Sequence, residues 1–308
     1  MAEPPILVIK LGALGNVILS LNAFAAIRLH HPNVKITVLT TAPYADWLAK
    51  APWFDAVLID TRPAWWNLAG LRRLRRMLRG PGFSRVYDLQ TSSRSSWYFK
   101  LFPVAKRPEW SGIAPGCSLP DRDPNRDHMH DNDRQIGQLR QAGITGPIPP
   151  ADLSWCRGDI GRFGLPRDFV VLVPGSAPHR PVKRWPAERY QALARMLRDR
   201  GLTPVVVGSA AEGAIAQRIP AAIDLTGQTS FGDLADLGRA ARFAVGNDTG
   251  PMHLLATAGC PCVVLFSHDS DPALCAPRGP DVRVLRRPDL ASLEVEAVLA
   301  ALLAPVTA

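Results

Sequence analysis

Short apolar runs alternate along this chain with longer stretches in which apolar residues recur every three or four positions. Ile6-Leu7-Val8-Ile9 is wholly apolar and enters the turn Gly12-Ala13-Leu14-Gly15, the pattern of a strand buried on both faces. Val17, Ile18, Leu21, Phe24, Ala25 and Leu29 then mark one face of a helix, which Pro32-Asn33 ends. Lys35 to Leu39, Ala56 to Ile59 and Val86 to Leu89 supply three further strands. This alternation predicts a doubly wound parallel sheet. Residues 111–133, rich in Gly, Pro, Asp, Asn and Arg, read as a long loop, and Arg134 to Ala142 as a helix.

Prolines and glycines punctuate Gly146 to Asp159, where the interdomain linker is placed. The same alternation then restarts. Phe169 to Val173 reads as a strand ending at Pro174-Gly175-Ser176, and Pro186 to Arg198 as a helix with proline in its first turn. Pro204 to Gly208 is a strand, Glu212 to Arg218 a short helix, and Ala244-Val245 a brief strand. Met252 to Ala258 is a helix, Cys262 to Phe266 a strand, and Leu290 to Leu303 a closing helix. The expectation is an α/β chain of two Rossmann-like domains, residues 1–155 and 156–308, facing across a cleft. The last helix is a candidate to pack back on the first domain.

Composition supports two cores and narrows the partners. The 308 residues are 47% hydrophobic and 20% charged, ample for two domains of roughly 150 residues each. No stretch reaches the roughly 20 apolar residues of a membrane span. The N-terminus has no long apolar core followed by small residues, so a cytoplasmic address is expected. Five cysteines, with no C-x-x-C pair, indicate neither a disulfide framework nor a zinc site. Cys260 and Cys262 read as buried thiols. A net charge of +9 asks for an acidic partner, either a phosphate-bearing substrate or an anionic membrane surface. Nucleic acid is set aside because no recognisable binding module is present.

The sharpest local chemistry lies in Gly246-Asn247-Asp248-Thr249-Gly250, a turn from a strand into a helix that starts near Pro251. Backbone amides at a helix N-terminus, with the Thr249 hydroxyl, make an anion site suited to a diphosphate. His253 lies one turn in. The bland alternative is that Asp248 and Thr249 only cap the helix. Pro174-Gly175-Ser176 and Gly208-Ser209 end strands at the same sheet edge, where open α/β folds bind ligands. Lys183 and Arg184 lie beside a helix start, where a lysine would neutralise a leaving phosphate. Glu212 follows its strand at a distance suited to a ribose hydroxyl.

Lys10 to Leu21 (KLGALGNVILSL), Asp88-Leu89-Gln90, Pro174-Gly175-Ser176, Lys183-Arg184-Trp185-Pro186 and Gly246 to His253 (GNDTGPMH) together resemble glycosyltransferase family 9. These are the heptosyltransferases of the lipopolysaccharide inner core. The resemblance implies a GT-B fold and inverting transfer of a heptose from ADP-heptose to a lipid A–Kdo or heptose acceptor, with no metal or other cofactor. It implies that Lys183 binds the diphosphate and Glu212 the ribose, and that Asp248, Thr249, Gly250 and His253 form the donor loop. Ser176 is placed on phosphate and Thr229 near the adenine. Gly12 and Gly15 belong to the acceptor-side turn, and Arg94, following Asp88-Leu89-Gln90, is expected as an acceptor-cleft cation.

One departure from the family pattern stands out. Where the family has an aspartate as general base, this chain has Asn16, whose carboxamide can orient a hydroxyl but has no useful basicity near neutral pH. The alternative reading is therefore a weakened or inactive member that still binds nucleotide sugar. Asn22 likewise stands where the family usually has proline. A dinucleotide-dependent oxidoreductase is disfavoured, because glycines at 12 and 15 alone do not make G-x-G-x-x-G. Leu68, Leu71, Leu74 and Leu78 alternate with Arg72, Arg73, Arg75 and Arg76 after Trp65-Trp66. This reads as a surface helix whose arginines can also meet the anionic inner membrane peripherally. His128 and His130, among Asp127, Asp131 and Asp133, read as solvated loop residues rather than metal ligands.

Overall fold

The computed structural model describes residues 3–177 and 179–304. The chain divides into two compact units, Met1–Ala151 and Asp152–Ala308. The first holds strands β1 (Ile6–Ile9), β2 (Ile36–Thr40), β3 (Ala56–Ile59), β4 (Arg85–Asp88), β5 (Glu109–Gly112) and β6 (Leu119–Pro120). Its helices are α1 (Leu14–Ile18), α2 (Leu21–His30), α3 (Ala42–Leu48), α4 (Leu68–Arg79), α5 (Ser93–Tyr98) and α6 (Asp131–Gln141). The second unit holds β7 (Phe169–Val173), β8 (Thr203–Val206), β9 (Ile223–Asp224), β10 (Phe243–Asn247), β11 (Cys262–Phe266) and β12 (Val282–Arg286). Its helices are α7 (Ala187–Arg198), α8 (Gly213–Ala216), α9 (Phe231–Ala240), α10 (Gly250–Thr257), α11 (Pro272–Cys275) and α12 (Val295–Leu303).

Each sheet is six-stranded and parallel throughout, ordered β3-β2-β1-β4-β5-β6 in one unit and β12-β11-β10-β7-β8-β9 in the other. Counted from each unit's first strand, both follow the order 3-2-1-4-5-6 of the dinucleotide-binding fold. The first unit reverses its strand order between β1 and β4, the second between β7 and β10. Apolar runs without alternation sit on these central strands because helices cover both faces. Ile6–Ile9 and Phe169–Val173 are buried along their whole length.

Several elements differ from expectation. The helix after β1 is broken: α1 ends at Ile18 and α2 starts at Leu21, with the Ser20 hydroxyl donating to the Asn16 carbonyl at 2.7 Å. A hydroxyl bonded back four residues competes with the helix ladder. The stretch read as a long loop contains the end of β5, all of β6 and the first turn of α6. β12 was not anticipated because Val282-Arg283-Val284-Leu285-Arg286 carries the charges of an edge strand. α9 is signalled in the sequence by its capping box, in which Ser230 and Asp233 satisfy each other's backbone amides. The closing helix α12 packs within its own unit on α7 and β11, where Val298 and Leu302 join Leu193 and Leu197 in the core.

Candidate functional site

In an open parallel sheet the loops at a strand-order reversal diverge, leaving a crevice at the carboxyl ends of the strands. In the second unit that crevice lies between Pro174-Gly175-Ser176 after β7 and Asp248-Thr249 after β10. Asn247, fully buried, ties its two sides together. Its amide donates to the carbonyls of Pro174 at 2.8 Å and Gly175 at 3.2 Å. Its carbonyl oxygen accepts from the Trp185 amide at 3.0 Å and the Tyr190 hydroxyl at 3.1 Å. One side chain thereby fixes β10, the end of β7 and the start of α7. Asn247 lies in the glycine-flanked run Gly246 to Gly250, where nothing local to the sequence assigns it this role.

Lys183 is brought to the next residue. It is 9% exposed, and its ammonium donates to Asp248 Oδ2 at 2.6 Å. The Ser270 hydroxyl, from the loop after β11, donates to the same oxygen at 2.7 Å. A charge at this depth needs such a partner, and the pair keeps the lysine at the crevice. Thr249 occupies the N-cap of α10 but makes no side-chain capping bond, and Asp248 is bonded to Lys183 and Ser270 instead. The capping reading of these two residues therefore fails. The buried Thr249 hydroxyl has no hydrogen-bond partner among the described residues, at the N-terminus of α10, where Pro251 carries no amide hydrogen and the Met252 amide donates to the Thr249 carbonyl at 3.1 Å. His253 is buried on the first turns of the same helix.

Glu212 reaches the crevice from β8. Its Oε2 accepts from the Ser209 amide at 2.7 Å and the Ser209 hydroxyl at 3.1 Å. The rest of its carboxylate lies over Gly175 and Gly208: a Cβ on Gly175 would sit 1.4 Å from Glu212 Oε1. The carboxylate fills the space a side chain would take at those two glycines, so a Cβ at either displaces it. Ser176 is buried, and its hydroxyl accepts from Arg184 Nε at 3.0 Å and donates to the Arg180 carbonyl at 3.0 Å. Arg184 thus braces the loop that carries Lys183. Thr229 lies in the turn between β9 and α9, partly exposed.

The first unit repeats the device between β1 and β4. Lys10 Nζ donates to the Leu89 carbonyl at 3.0 Å, and the Leu11 amide donates to Gln90 Oε1 at 2.8 Å. Lys10 also faces Asp131 at 3.7 Å. Burial pushes the Lys10 ammonium below its ordinary range, with Asp131 opposing. Burial would raise Asp131, but the charges of Lys10 and Arg134 outweigh it and hold it low. Asp131 is thus a buried ion-paired residue at the start of α6, not the solvated loop residue expected. Asp88 is fully buried, and burial pushes its carboxyl up to about 7 despite amide bonds from Gln90 and Thr91.

Asn16 is exposed on α1. Gly12 has φ +110°, and a Cβ there would meet the Tyr44 ring at 2.6 Å, so the turn needs glycine; Gly15 is buried in α1. Asn22 exchanges two amide hydrogen bonds with Asn132, at 2.7 and 3.2 Å, which gives this departure from the family pattern a structural partner. Arg94, half-buried, stacks its guanidinium over Trp65, 4.8 Å from the ring centroid, and donates to the Pro63 carbonyl at 3.3 Å. The His130 ring accepts from the Asn132 amide as the N-cap of α6. Among the described residues no three His, Cys, Asp or Glu side chains converge as a metal site would need.

A family model described as glycosyltransferase family 9 (heptosyltransferase) matches residues 71–298. The chain is 26% identical over 311 residues to lipopolysaccharide heptosyltransferase 2 of Escherichia coli K12, covering 91% of this chain and 87% of that protein. Its fold is similar to that of the E. coli ADP-heptose LPS heptosyltransferase II structure, with a TM-score of 0.78 at 23% identity over 96% of this chain and 97% of that one. A family 9 glycosyltransferase structure from Veillonella parvula gives a TM-score of 0.82 at 22% identity, over 97% and 96%. Two six-stranded parallel sheets in this arrangement are the GT-B fold.

Proposed function

The chain belongs to glycosyltransferase family 9 (heptosyltransferase), and from that premise we propose that it transfers a heptose from ADP-heptose to a phosphorylated glycolipid of the lipopolysaccharide inner core, a lipid A–Kdo or heptose acceptor, with inversion. The observation that carries this is the second unit's crevice, where Lys183 and a Thr249 hydroxyl with no partner among the described residues lie at a helix N-terminus. In this reading the acceptor hydroxyl attacks the anomeric carbon in one displacement. The new glycosidic C–O bond forms as the C–O bond to the diphosphate breaks, and the hydroxyl proton passes to a base. Lys183 and the positive end of the α10 dipole stabilise the charge that grows on the leaving diphosphate, the largest electrostatic demand of such a step. No metal is invoked, because the lysine supplies the positive charge. Glu212, acceptor-only when ionised, suits the ribose hydroxyls; Ser176 lies on the phosphate side, and Thr229 is assigned to the adenine side.

The test is thermal unfolding of the full chain with ADP-, UDP- and GDP-sugars. Stabilisation by ADP compounds alone, lost in Lys183→Ala, is expected. Equal response to all three, or to none, overturns the donor assignment.

A second reading rests on Asn16, which presents a carboxamide where the family places its base. A positioned general base contributes typically about 10²–10⁴ in rate. The chain then binds ADP-heptose with weak turnover, and Asn16→Asp raises ADP release in the presence of acceptor. Unchanged turnover in that variant removes Asn16 from the mechanism.

The acceptor is a membrane lipid, and α4 suits a peripheral approach to it from the cytoplasmic side. Leu74 and Leu78 are buried, while Arg72, Arg73, Arg75 and Arg76 are exposed. Burying the leucines leaves the arginines to meet anionic headgroups, each worth about 1 kcal/mol near such a surface. Trp66, 84% exposed just before the helix, adds an apolar contact. Among the described residues no helix is long and apolar enough to cross a membrane.

A further inference from the structure

We propose that Ser270 is a positioning residue that aims the Asp248 carboxylate at the hydroxyls of the transferred sugar. The proposal rests on the donor site argued above.

Asp248 receives two donors on one oxygen: Lys183 Nζ at 2.6 Å and Ser270 Oγ at 2.7 Å, both on Oδ2. Oδ1 accepts from neither. Lys183 is the group an incoming diphosphate will attract, and as it turns toward phosphate its hold on Asp248 weakens. Ser270 is neutral, so phosphate draws it far less, and it keeps the carboxylate oriented through binding. It also comes from the loop after β11, so its bond to Asp248 does not pass through the lysine.

The placement of Ser270 is built on both sides. Ser267 Oγ accepts from the Asp269 amide at 3.2 Å, and the His268 ring meets the Pro288 carbonyl at 2.6 Å. Asp271 caps α11 by accepting from the Ala273 amide at 3.1 Å, and Arg180 faces Asp269 at 3.3 Å. A hydroxyl held between such anchors has little conformational freedom left to lose when it bonds Asp248.

The chemistry of Asp248 selects its ligand. A carboxylate is an acceptor only, and it repels phosphate. In a crevice that takes a nucleoside diphosphate sugar, the neutral donors it can serve are sugar hydroxyls. The effect of Ser270 therefore belongs to the sugar and not to the nucleotide.

The experiment is calorimetric titration of the full chain and of Ser270→Ala and Ser270→Thr with ADP and with ADP-heptose. Losing one hydrogen bond to a charged group is expected to weaken ADP-heptose about tenfold in Ser270→Ala. ADP binding stays within about twofold, and Ser270→Thr, which keeps the hydroxyl, recovers the ADP-heptose affinity. An equal loss for both ligands, no loss for either, or failure of the threonine variant to recover overturns the proposal. If the unmodified chain prefers another nucleotide sugar, the donor assignment fails on its own. The same split is then required between that sugar nucleotide and its free nucleotide.

Discussion

Replacing Asn247 by alanine and by aspartate tests whether the crevice depends on that single clamp. The alanine variant strands the Trp185 amide and the carbonyls of Pro174 and Gly175. The Tyr190 hydroxyl can turn to the Val173 carbonyl, which already lies 3.3 Å away. Three buried groups left unpaired cost about 1–3 kcal/mol each, and water entering the small void recovers part, so a net loss of about 3–5 kcal/mol is expected. In a unit of this size that lowers the melting temperature by at least about 6 °C. Aspartate keeps the two acceptor bonds and loses both donors, setting a buried charge against two carbonyl oxygens. Its folded pKa must therefore rise above the unfolded value. The variant is most stable below the unfolded pKa, and that stability is lost as pH rises through the folded one. Differential scanning calorimetry of the full chain at pH 5 and pH 8 reads this, the second unit's transition being the one that nucleotide shifts. An alanine variant melting within about a degree of the parent, or an aspartate variant indifferent to pH, would refute the reasoning.

Three further outcomes are expected. Asp88, raised to about 7 by burial, contributes stability that is fully present below about pH 4 and is lost as pH rises toward 7. Asp88→Asn removes that loss, on the order of 4 kcal/mol at most, so its melting temperature gains on the parent at pH 8 and not at pH 4. Gly175→Ala pushes the Glu212 carboxylate aside and takes from the exposed Ser209 amide a partner that water can replace, so ADP affinity falls about as far as in Glu212→Ala, roughly tenfold, at little cost in melting temperature. Changing Arg72, Arg73, Arg75 and Arg76 to Glu abolishes co-sedimentation with anionic vesicles and leaves ADP binding intact; equal sedimentation before and after removes α4 from membrane contact.

Local sequence determined a great deal here. The apolar runs at Ile6–Ile9, Phe169–Val173 and Cys262–Phe266 have no polar side to expose, so they are central parallel strands wherever the chain folds. The glycine-punctuated turns at their ends, and the charged residues just beyond, marked the sheet edge to which the structure brings the candidate donor-site residues. That Lys183, Glu212 and Asp248 share that edge was legible for that reason. Pairings between distant segments were not legible, because no local propensity encodes which side chain meets which strand end. Tertiary structure alone decided that Asn247 bridges Pro174, Gly175, Trp185 and Tyr190, and that Ser270 shares Asp248 Oδ2 with Lys183. It also buried Asp131 against Lys10, where composition placed a solvated loop, and turned Arg94 onto Trp65. Edge strands β6, β9 and β12 stayed hidden because a strand paired on one side, or only two residues long, carries too little periodicity to stand out from a loop. Periodicity reports burial of an element against the core; the bonds that set a binding site arise only once the sheet has brought its strand ends together.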